Sequence, residues 1–275
     1  MFLKKIGAGL GGTFAFAGAL VWSTAASALP YNWQTGFQPA ASPVMERIED
    51  FHKELLVIIT LVSLFVLALL IWIMVRYNRR ANPTPSKTAH NTLLEVAWTI
   101  IPVIILVIIA IPSFRLLYFE ADIPPADVTL KAIGKQWFWT YEYPASNFTF
   151  DSLGLTNADA DKKGEPHLLG VDNVVVVPVN KVVEVETTGA DVIHSWAVPQ
   201  FGVKMDAVPG RINHTWFKAT AVGTYYGECS ELCGARHAFM PIEVKVVTQP
   251  EYEAWLAGAK KKFAAIDGST RVAAK

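Results

Sequence analysis

Two long apolar runs constrain the fold more than any other feature of this sequence. Leu55–Val75 contains 21 residues and Val96–Phe114 contains 19, and neither run includes a charged side chain. About 20 apolar residues in a helix can cross the hydrocarbon core of a bilayer. Hydrophobic residues make up 52% of the 275 positions and charged residues only 17%, whereas a soluble domain carries about 25% charge. We predict two transmembrane helices, over about residues 52–78 and 94–117.

The charges around these runs predict the orientation of the helical hairpin. Residues 76–87, between the runs, contain three arginines and one lysine but no acid. The positive-inside rule places this connection in the cytoplasm and both outer ends on the opposite side of the membrane. A basic start, an apolar stretch and an A-x-A pattern ending at Ala28 are typical of a cleaved signal peptide over residues 1–28. An uncleaved first membrane helix is the alternative.

Beyond the second run, the sequence predicts an all-β domain over residues 121–250, after a membrane part spanning 29–120. Turn residues separate short segments of β-rich composition, which is typical of a sandwich or barrel. These segments are Val128–Ile133, Val174–Val177, Val182–Glu186, His214–Phe217 and Ile242–Val247. The polar stretch 157–164 is predicted to be an exposed loop. Apolar residues at helical spacing predict a short helix within the last part of the chain, residues 251–275.

Four potential metal ligands fall within twelve residues near the end of this domain: Cys229, Cys233, His237 and Met240. Thiolate and thioether sulfur select copper, and imidazole also suits it. A disulfide or a zinc site is a weaker alternative, because neither uses the methionine. A mononuclear blue-copper site needs one cysteine and two histidines. Two thiolates can instead bridge two copper ions, and each ion then needs one imidazole.

His194 is the most suitable second imidazole among the six histidines of the chain. It follows a β-rich segment and a turn at Gly189, and cupredoxin-like sites take one histidine from an upstream strand end. A hydrogen-bonded loop histidine is the alternative interpretation of this residue.

Three motifs, in this order, resemble the cytochrome c oxidase subunit 2 family: Asp191–Trp196, Phe201–Arg211 and the cysteine loop. The similarity also includes Leu94–Pro102 and the aromatic run Gln136–Tyr143. It implies a two-helix transmembrane hairpin followed by an all-β, cupredoxin-like Greek-key sandwich. It further implies a subunit of a haem-copper terminal oxidase that accepts electrons from cytochrome c at a binuclear copper centre, copper A. The electrons would pass to haem in subunit 1, where dioxygen is reduced to water and protons are pumped.

The resemblance implies six ligands for the two copper ions: His194, Cys229, Glu231, Cys233, His237 and Met240. The cysteines would bridge both ions, and one ion would add His194 and Met240. The other ion would add His237 and the backbone carbonyl of Glu231. The Glu231 side chain would bind Mg²⁺ or Mn²⁺ at the interface with subunit 1. Haem is expected in the partner subunit only, because nothing in this chain looks like a set of haem ligands.

Two more residues receive roles from the resemblance. Trp137 is implied to be the entry point for electrons from cytochrome c. In a strand, Trp137 would share one face with Trp139 and Tyr141, so core packing is its alternative role. Glu95, at the cytoplasmic start of the second membrane helix, is implied to be the entrance of a proton pathway. Its alternative is an acid that stabilises the helix start through the helix dipole.

The external domain is acidic, with 15 acids and 10 bases between residues 122 and 249, a net charge of −5. Solubility explains such a charge, and so does a docking face for a basic partner. The candidate docking acids for cytochrome c are Glu142, Asp151, Asp172 and Asp191. The implied partners are oxidase subunits 1 and 3, cytochrome c and membrane lipid, in a bacterial inner membrane with the copper domain in the periplasm. Nucleic acid is not expected, since the whole chain has a formal net charge of zero.

Three other protein classes share part of this pattern. A quinol oxidase subunit 2 has the hairpin and sandwich but lacks the copper ligands that are present here. Nitrous oxide reductase has a similar copper loop but is soluble and carries a large N-terminal domain. A membrane-anchored periplasmic copper-binding chaperone is the alternative function, although it would need neither the hairpin nor the tryptophan run.

Overall fold

The two apolar runs form long helices, α1 (Pro43–Arg76) and α2 (Thr92–Ala121). A computed structural model describes residues 29–30 and 32–263, so the predicted signal peptide and the end of the chain lie outside the described residues. Helix α1 starts well before residue 52, because the Ser42 side chain caps it by accepting from the Met45 N–H at 3.1 Å. By length and composition, both helices can cross a membrane.

Ten strands form a sandwich of two five-stranded sheets, which confirms the predicted all-β domain. The strand orders are β3-β2-β1-β5-β8 and β4-β10-β9-β6-β7. The pairs β1–β5 and β4–β10 are parallel, and the other pairs are antiparallel. The strands are β1 (Val128–Lys135), β2 (Phe138–Tyr143), β3 (Phe148–Ser152), β4 (Val175–Pro178), β5 (Val182–Gly189), β6 (His194–Val198), β7 (Val203–Ala207), β8 (Asn213–Lys218), β9 (Gly223–Cys229) and β10 (Pro241–Val247).

Large aromatic side chains fill the space between the sheets. Trp139, Tyr141 and Trp196 are completely buried, and the Trp196 indole N–H donates to the Tyr141 hydroxyl at 3.2 Å. The rings of Phe201 and Phe217 stack with centroids 4.3 Å apart. The alternating aromatic residues of β2 therefore belong to the core.

Two short helices complete the domain. Helix α3 (Asn157–Lys163) occupies the polar stretch predicted to be a loop, and that prediction is wrong. The Thr156 side chain caps its start, and Gly164, with a φ of 72°, ends it. Helix α4 (Gln249–Phe263) contacts β3 and β4, and so covers one edge strand of each sheet. Such a cover protects unpaired strand edges from other chains.

The sandwich is attached to the N-terminal end of α1 and the C-terminal end of α2. The Ser42 hydroxyl donates to the Phe201 carbonyl at 2.6 Å, and the Trp216 indole N–H donates to the Glu120 carbonyl at 3.1 Å. The ring of Phe119 packs edge-on against Trp216. The domain therefore lies at the end of the hairpin opposite the arginine-rich connection.

Candidate metal centre

The loop between β9 and β10 brings the two cysteines together. The Sγ atoms of Cys229 and Cys233 are 3.8 Å apart. Both residues are buried and both thiols are free, so the structure does not form the alternative disulfide. Apart from one short 3₁₀ turn at His237–Phe239, the loop has no regular structure.

Four further donor atoms surround the thiols at distances of 3.4 to 3.9 Å. Around Cys229, the His194 Nδ1 lies at 3.9 Å and the Glu231 carbonyl oxygen at 3.4 Å. Around Cys233, the His237 Nδ1 and the Met240 Sδ both lie at 3.5 Å. The structure thus brings together all six residues predicted to hold copper, contributed by the start of β6 and by the cysteine loop.

The orientation of His194 is set by Asp191. The Nε2 atom of His194 lies 2.8 Å from the Asp191 Oδ1, which leaves Nδ1 facing the thiol. Burial alone would lower the pKa of His194, but its hydrogen bonds with Cys229 and Asp191 outweigh burial and raise that pKa. A carboxylate behind a ligating histidine fixes the ring and increases its basicity. Asp191 was predicted only as a docking acid, and its contact with His194, three residues later in the chain, was not predicted.

Asp191 also binds the backbone on both sides of the site. Its Oδ1 accepts from the Val192 N–H and its Oδ2 from the Gln136 N–H, both at 2.7 Å. Burial acts to raise the pKa of Asp191, but these hydrogen bonds and the one with His194 bring it below its usual range. The carboxylate is therefore ionised at neutral pH.

The two thiols differ in acidity. Burial acts against ionisation of Cys229, but hydrogen bonds, chiefly from His194, lower its pKa. Burial and the neighbouring Cys229 thiolate raise the pKa of Cys233. One thiol therefore ionises before the other, and a metal that requires both thiolates must release a proton on binding.

The predicted electron-entry residue lies against the cysteine loop. The Trp137 indole N–H donates to the Cys233 carbonyl at 3.2 Å, and the Gln136 side-chain amide donates to the same oxygen at 2.8 Å. Trp137 is half-buried, unlike the completely buried Trp139. The contact of Gln136 was not predicted.

The side chains of the other predicted residues interact with groups other than the thiols or are exposed. Glu142 pairs with Lys131 at 3.3 Å, and Asp151 accepts from the Thr140 hydroxyl at 2.6 Å. Asp172 accepts from backbone N–H groups in its own loop. The Glu231 side chain is exposed.

Glu95 lies in the first turn of α2, at the end of the hairpin away from the sandwich. Its Oε1 accepts from the Asn91 N–H at 3.1 Å, while the Asn91 side chain caps the helix by accepting from Leu94. Glu95 therefore stabilises the start of α2, the alternative that the sequence left open. Its role in proton uptake remains a prediction.

Within residues 29–30 and 32–263, a second group also brings three potential ligands together, namely Glu184, Glu186 and His214. It contains no sulfur ligand, and its members are half-buried or exposed. The buried group of His194, Cys229 and Cys233 is therefore the copper-type site.

Comparison with known proteins identifies the family of this chain. The sequence matches two family models, "Cytochrome C oxidase subunit II, transmembrane domain" over residues 30–116 and "Cytochrome C oxidase subunit II, periplasmic domain" over residues 128–247. The chain belongs to the cytochrome c oxidase subunit 2 family. Its two helices are thus the membrane anchor of a subunit 2 chain, as the apolar runs predicted.

Curated relatives in this family are similar over most of their length. The chain is 49% identical over 246 residues to the probable cytochrome c oxidase subunit 2 of Rickettsia bellii, which covers 89% of this chain and 91% of that protein. It is 46% identical over 243 residues to cytochrome c oxidase subunit 2 of Cereibacter sphaeroides, with coverages of 82% and 80%.

A solved structure, the periplasmic domain of subunit II of cytochrome oxidase of Bradyrhizobium japonicum, is 59% identical, with a TM-score of 0.49 and coverages of 52% of this chain and 99% of that chain. Members of the family are subunits of cytochrome c oxidase, which is an oxidoreductase complex. Membership of this family argues against the alternative function of a copper chaperone.

Proposed function

We propose that this subunit receives electrons from cytochrome c at a binuclear copper A centre and passes them to haem in subunit 1. The oxidase would use these electrons to reduce dioxygen to water and to pump protons. The observation that carries the proposal is the convergence of imidazole, thioether and carbonyl donors, each within 3.9 Å of the Sγ atom of one of two free, buried cysteines.

The donor set fits copper better than other metals. Two thiols and a thioether are soft ligands, and zinc has no use for Met240. His194 and Met240 are almost completely buried, so bulk water does not reach these two ligands, whereas His237 is half-buried. Cys229 and Cys233 would hold copper together with these donors, and copper held there would supply a one-electron carrier. The protein holds the ligands in place through Asp191, which fixes His194, and through the donors to the Cys233 carbonyl.

The surface next to the loop supports contact with protein partners. Leu232, Phe239 and Ile193 are exposed apolar residues beside the ligands, and contiguous apolar surface marks interaction sites. We assign cytochrome c docking to this region, with Glu142, Asp151, Asp172 and Asp191 as the acids that would attract a basic partner. The exposed Glu231 side chain is available for Mg²⁺ or Mn²⁺ shared with subunit 1. Subunit 3 and lipid would contact the hairpin, whose apolar surface is otherwise uncovered.

The copper centre is tested by metal content and spectroscopy of the purified full-length chain, separated from the haem-bearing subunits. We expect two copper ions per chain, a purple colour in the visible spectrum, and the electron paramagnetic resonance spectrum of a mixed-valence copper pair. A single ion held as Cu(I), which gives no such spectrum, would support a chaperone and contradict the proposal.

A further inference from the structure

The turn that joins β1 and β2 contacts both halves of the metal site through one residue, Gln136. Its side-chain amide donates to the Cys233 carbonyl at 2.8 Å, in the cysteine loop. Its backbone N–H donates to the Asp191 Oδ2 at 2.7 Å, and the other oxygen of Asp191 holds His194 at 2.8 Å. The cysteine loop and the histidine at the start of β6 are thus connected through Gln136.

We infer that Gln136 is a positioning residue, which clamps the cysteine loop in the arrangement that copper requires before copper binds. The inference rests on the proposed copper centre. Gln136 shares its acceptor with Trp137, whose indole N–H reaches the same oxygen at 3.2 Å. A carbonyl oxygen has two lone pairs and can accept from both donors. The amide makes the shorter hydrogen bond.

Close packing of side chains on the backbone at two glycines supports the clamp. A Cβ atom added at Gly234, directly after Cys233, would lie 3.0 Å from the Gln136 Nε2 and 3.2 Å from the Trp137 ring. A Cβ atom at Gly134, near the end of β1, would lie 2.7 Å from the His194 ring. The turn therefore rests directly on the loop at one end and on the ligating histidine at the other.

The loop needs hydrogen bonds from elsewhere in the chain because it makes few hydrogen bonds within itself. It supplies five of the six proposed copper ligands, yet its only regular structure is the turn at His237–Phe239. The N–H of Cys229 is directed at the Met240 carbonyl at a long 3.4 Å. Functional sites keep their geometry when neighbouring hydrogen bonds lock the ligating segment. Gln136 supplies such a bond at the centre of the loop.

The test replaces Gln136 with methionine, which keeps the length of the side chain and removes its donor. Because this side chain is exposed, the change opens no cavity in the core. In the copper-free full-length protein, amide hydrogen exchange of residues 229–240 should become about three- to tenfold faster, the effect of one lost hydrogen bond. In the copper-loaded protein, copper loss to a chelator should accelerate, and the mixed-valence spectrum should broaden.

Gln136→Glu should act more strongly, because it places an acceptor against the carbonyl oxygen. The matched control is Gln249→Met on α4, where the amide donates to Glu253 of the same helix at 2.9 Å. Parent-like exchange and copper loss in Gln136→Met would overturn the clamp, and so would faster exchange spread equally over all strands. If the parent protein binds no copper pair, the proposed function fails, but exchange in the copper-free protein still decides the role of Gln136.

Discussion

The imidazole of His194 and the carboxylate of Asp191 are 2.8 Å apart, and this contact turns the Nδ1 atom of the histidine toward the thiol of Cys229. Asp191 is therefore part of the support of the metal site, whichever partner it also attracts. This contact separates Asp191 from the other acids predicted to dock cytochrome c.

We expect Asp191→Asn and Asp172→Asn to have different effects on copper. Asp191→Asn removes the negative charge behind His194 and the second oxygen, which accepts from the Gln136 N–H. Copper retention should weaken by about ten- to a hundredfold, and the reduction potential should shift. Asp172→Asn keeps an oxygen that can accept from the Leu153 N–H. It should leave the spectrum unchanged while raising the KM for cytochrome c and weakening its salt dependence. Chelator competition and steady-state kinetics measure the two effects, and identical spectra in both variants would contradict the support role of Asp191.

Removal of a bridging thiol should have the largest effect on the centre. In Cys229→Ser, a hydroxyl replaces the thiolate and cannot bridge two copper ions, so we expect fewer than two ions per chain and loss of the purple chromophore. Metal analysis and the visible spectrum check this result. Two ions with an unchanged spectrum would exclude Cys229 as a ligand.

Replacement of the thioether should be milder. Methionine is a weak copper ligand, and Leu has a similar volume in the buried position of Met240. Met240→Leu should therefore keep both ions while changing the reduction potential or adding a second copper species. A redox titration monitored by electron paramagnetic resonance measures both outcomes. An unchanged reduction potential and an unchanged spectrum would show that the site does not use Met240.

The length of the apolar runs predicted both membrane helices, but not where α1 begins. Its first two turns include Glu46, Glu49 and Asp50, and such residues carry no apolar signal. Strand β6 was also missed, since all of its residues are buried. A strand buried on both faces has no alternation of polar and apolar residues.

The proposed copper ligands were accessible to sequence reasoning, whereas the residues that hold them in place were not. Most ligands form one contiguous loop, and His194 lies in a second recognisable motif. Gln136 and Cys233, however, are 97 residues apart, and only the fold brings them together. The charge of Asp191 was visible in the sequence and suggested docking, but its hydrogen bond with His194 depends on the geometry of the turn before β6.

The buried carboxyl of Glu243 should make the stability of the domain depend on pH. Burial raises the pKa of Glu243 to about 7, with the nearby Glu165 acting in the same direction against a hydrogen bond from Val171. The folded state thus keeps a proton that the unfolded chain releases near its ordinary pKa of 4.5. This stabilisation is complete below about pH 4.5 and is lost as the pH rises through about 7.

Glu243→Gln should remove this dependence, because the amide stays neutral and its oxygen can still accept from Val171. We expect little change in Tm at about pH 5 and a higher Tm at about pH 8, equivalent to on the order of 1–3 kcal/mol. Thermal unfolding of the detergent-solubilised protein provides the measurement. Glu228→Gln, an exposed glutamate on β9, is the control, and equal shifts in both variants would exclude the buried carboxyl as the cause.

The orientation of the hairpin can be measured with reporter fusions. A reporter inserted between residues 77 and 87 should be active only in the cytoplasm, because the positive-inside rule retains the arginine-rich connection there. One fused after Pro250 should be active only in the periplasm. The reverse pattern would place the copper domain in the cytoplasm, where it could not meet a periplasmic cytochrome c.

Trp137→Phe should separate the docking of cytochrome c from electron transfer. The ring area at the surface is nearly conserved, so binding should hold, but the hydrogen bond to the Cys233 carbonyl is lost. A small change in the geometry of a reacting pair can cost about a hundredfold in rate, so we expect transfer from bound cytochrome c to slow by about ten- to a hundredfold.

Flash-initiated transfer within the preformed complex measures this step apart from binding. Trp255→Phe makes the same chemical change on α4, where the ring packs against Tyr143, and should leave the transfer rate unchanged. Transfer at the parent rate in Trp137→Phe would mean that Trp137 only packs against the loop. The entry point would then have to be sought elsewhere on the exposed apolar surface around the ligands, such as Phe239, because Trp139 and Tyr141 are completely buried.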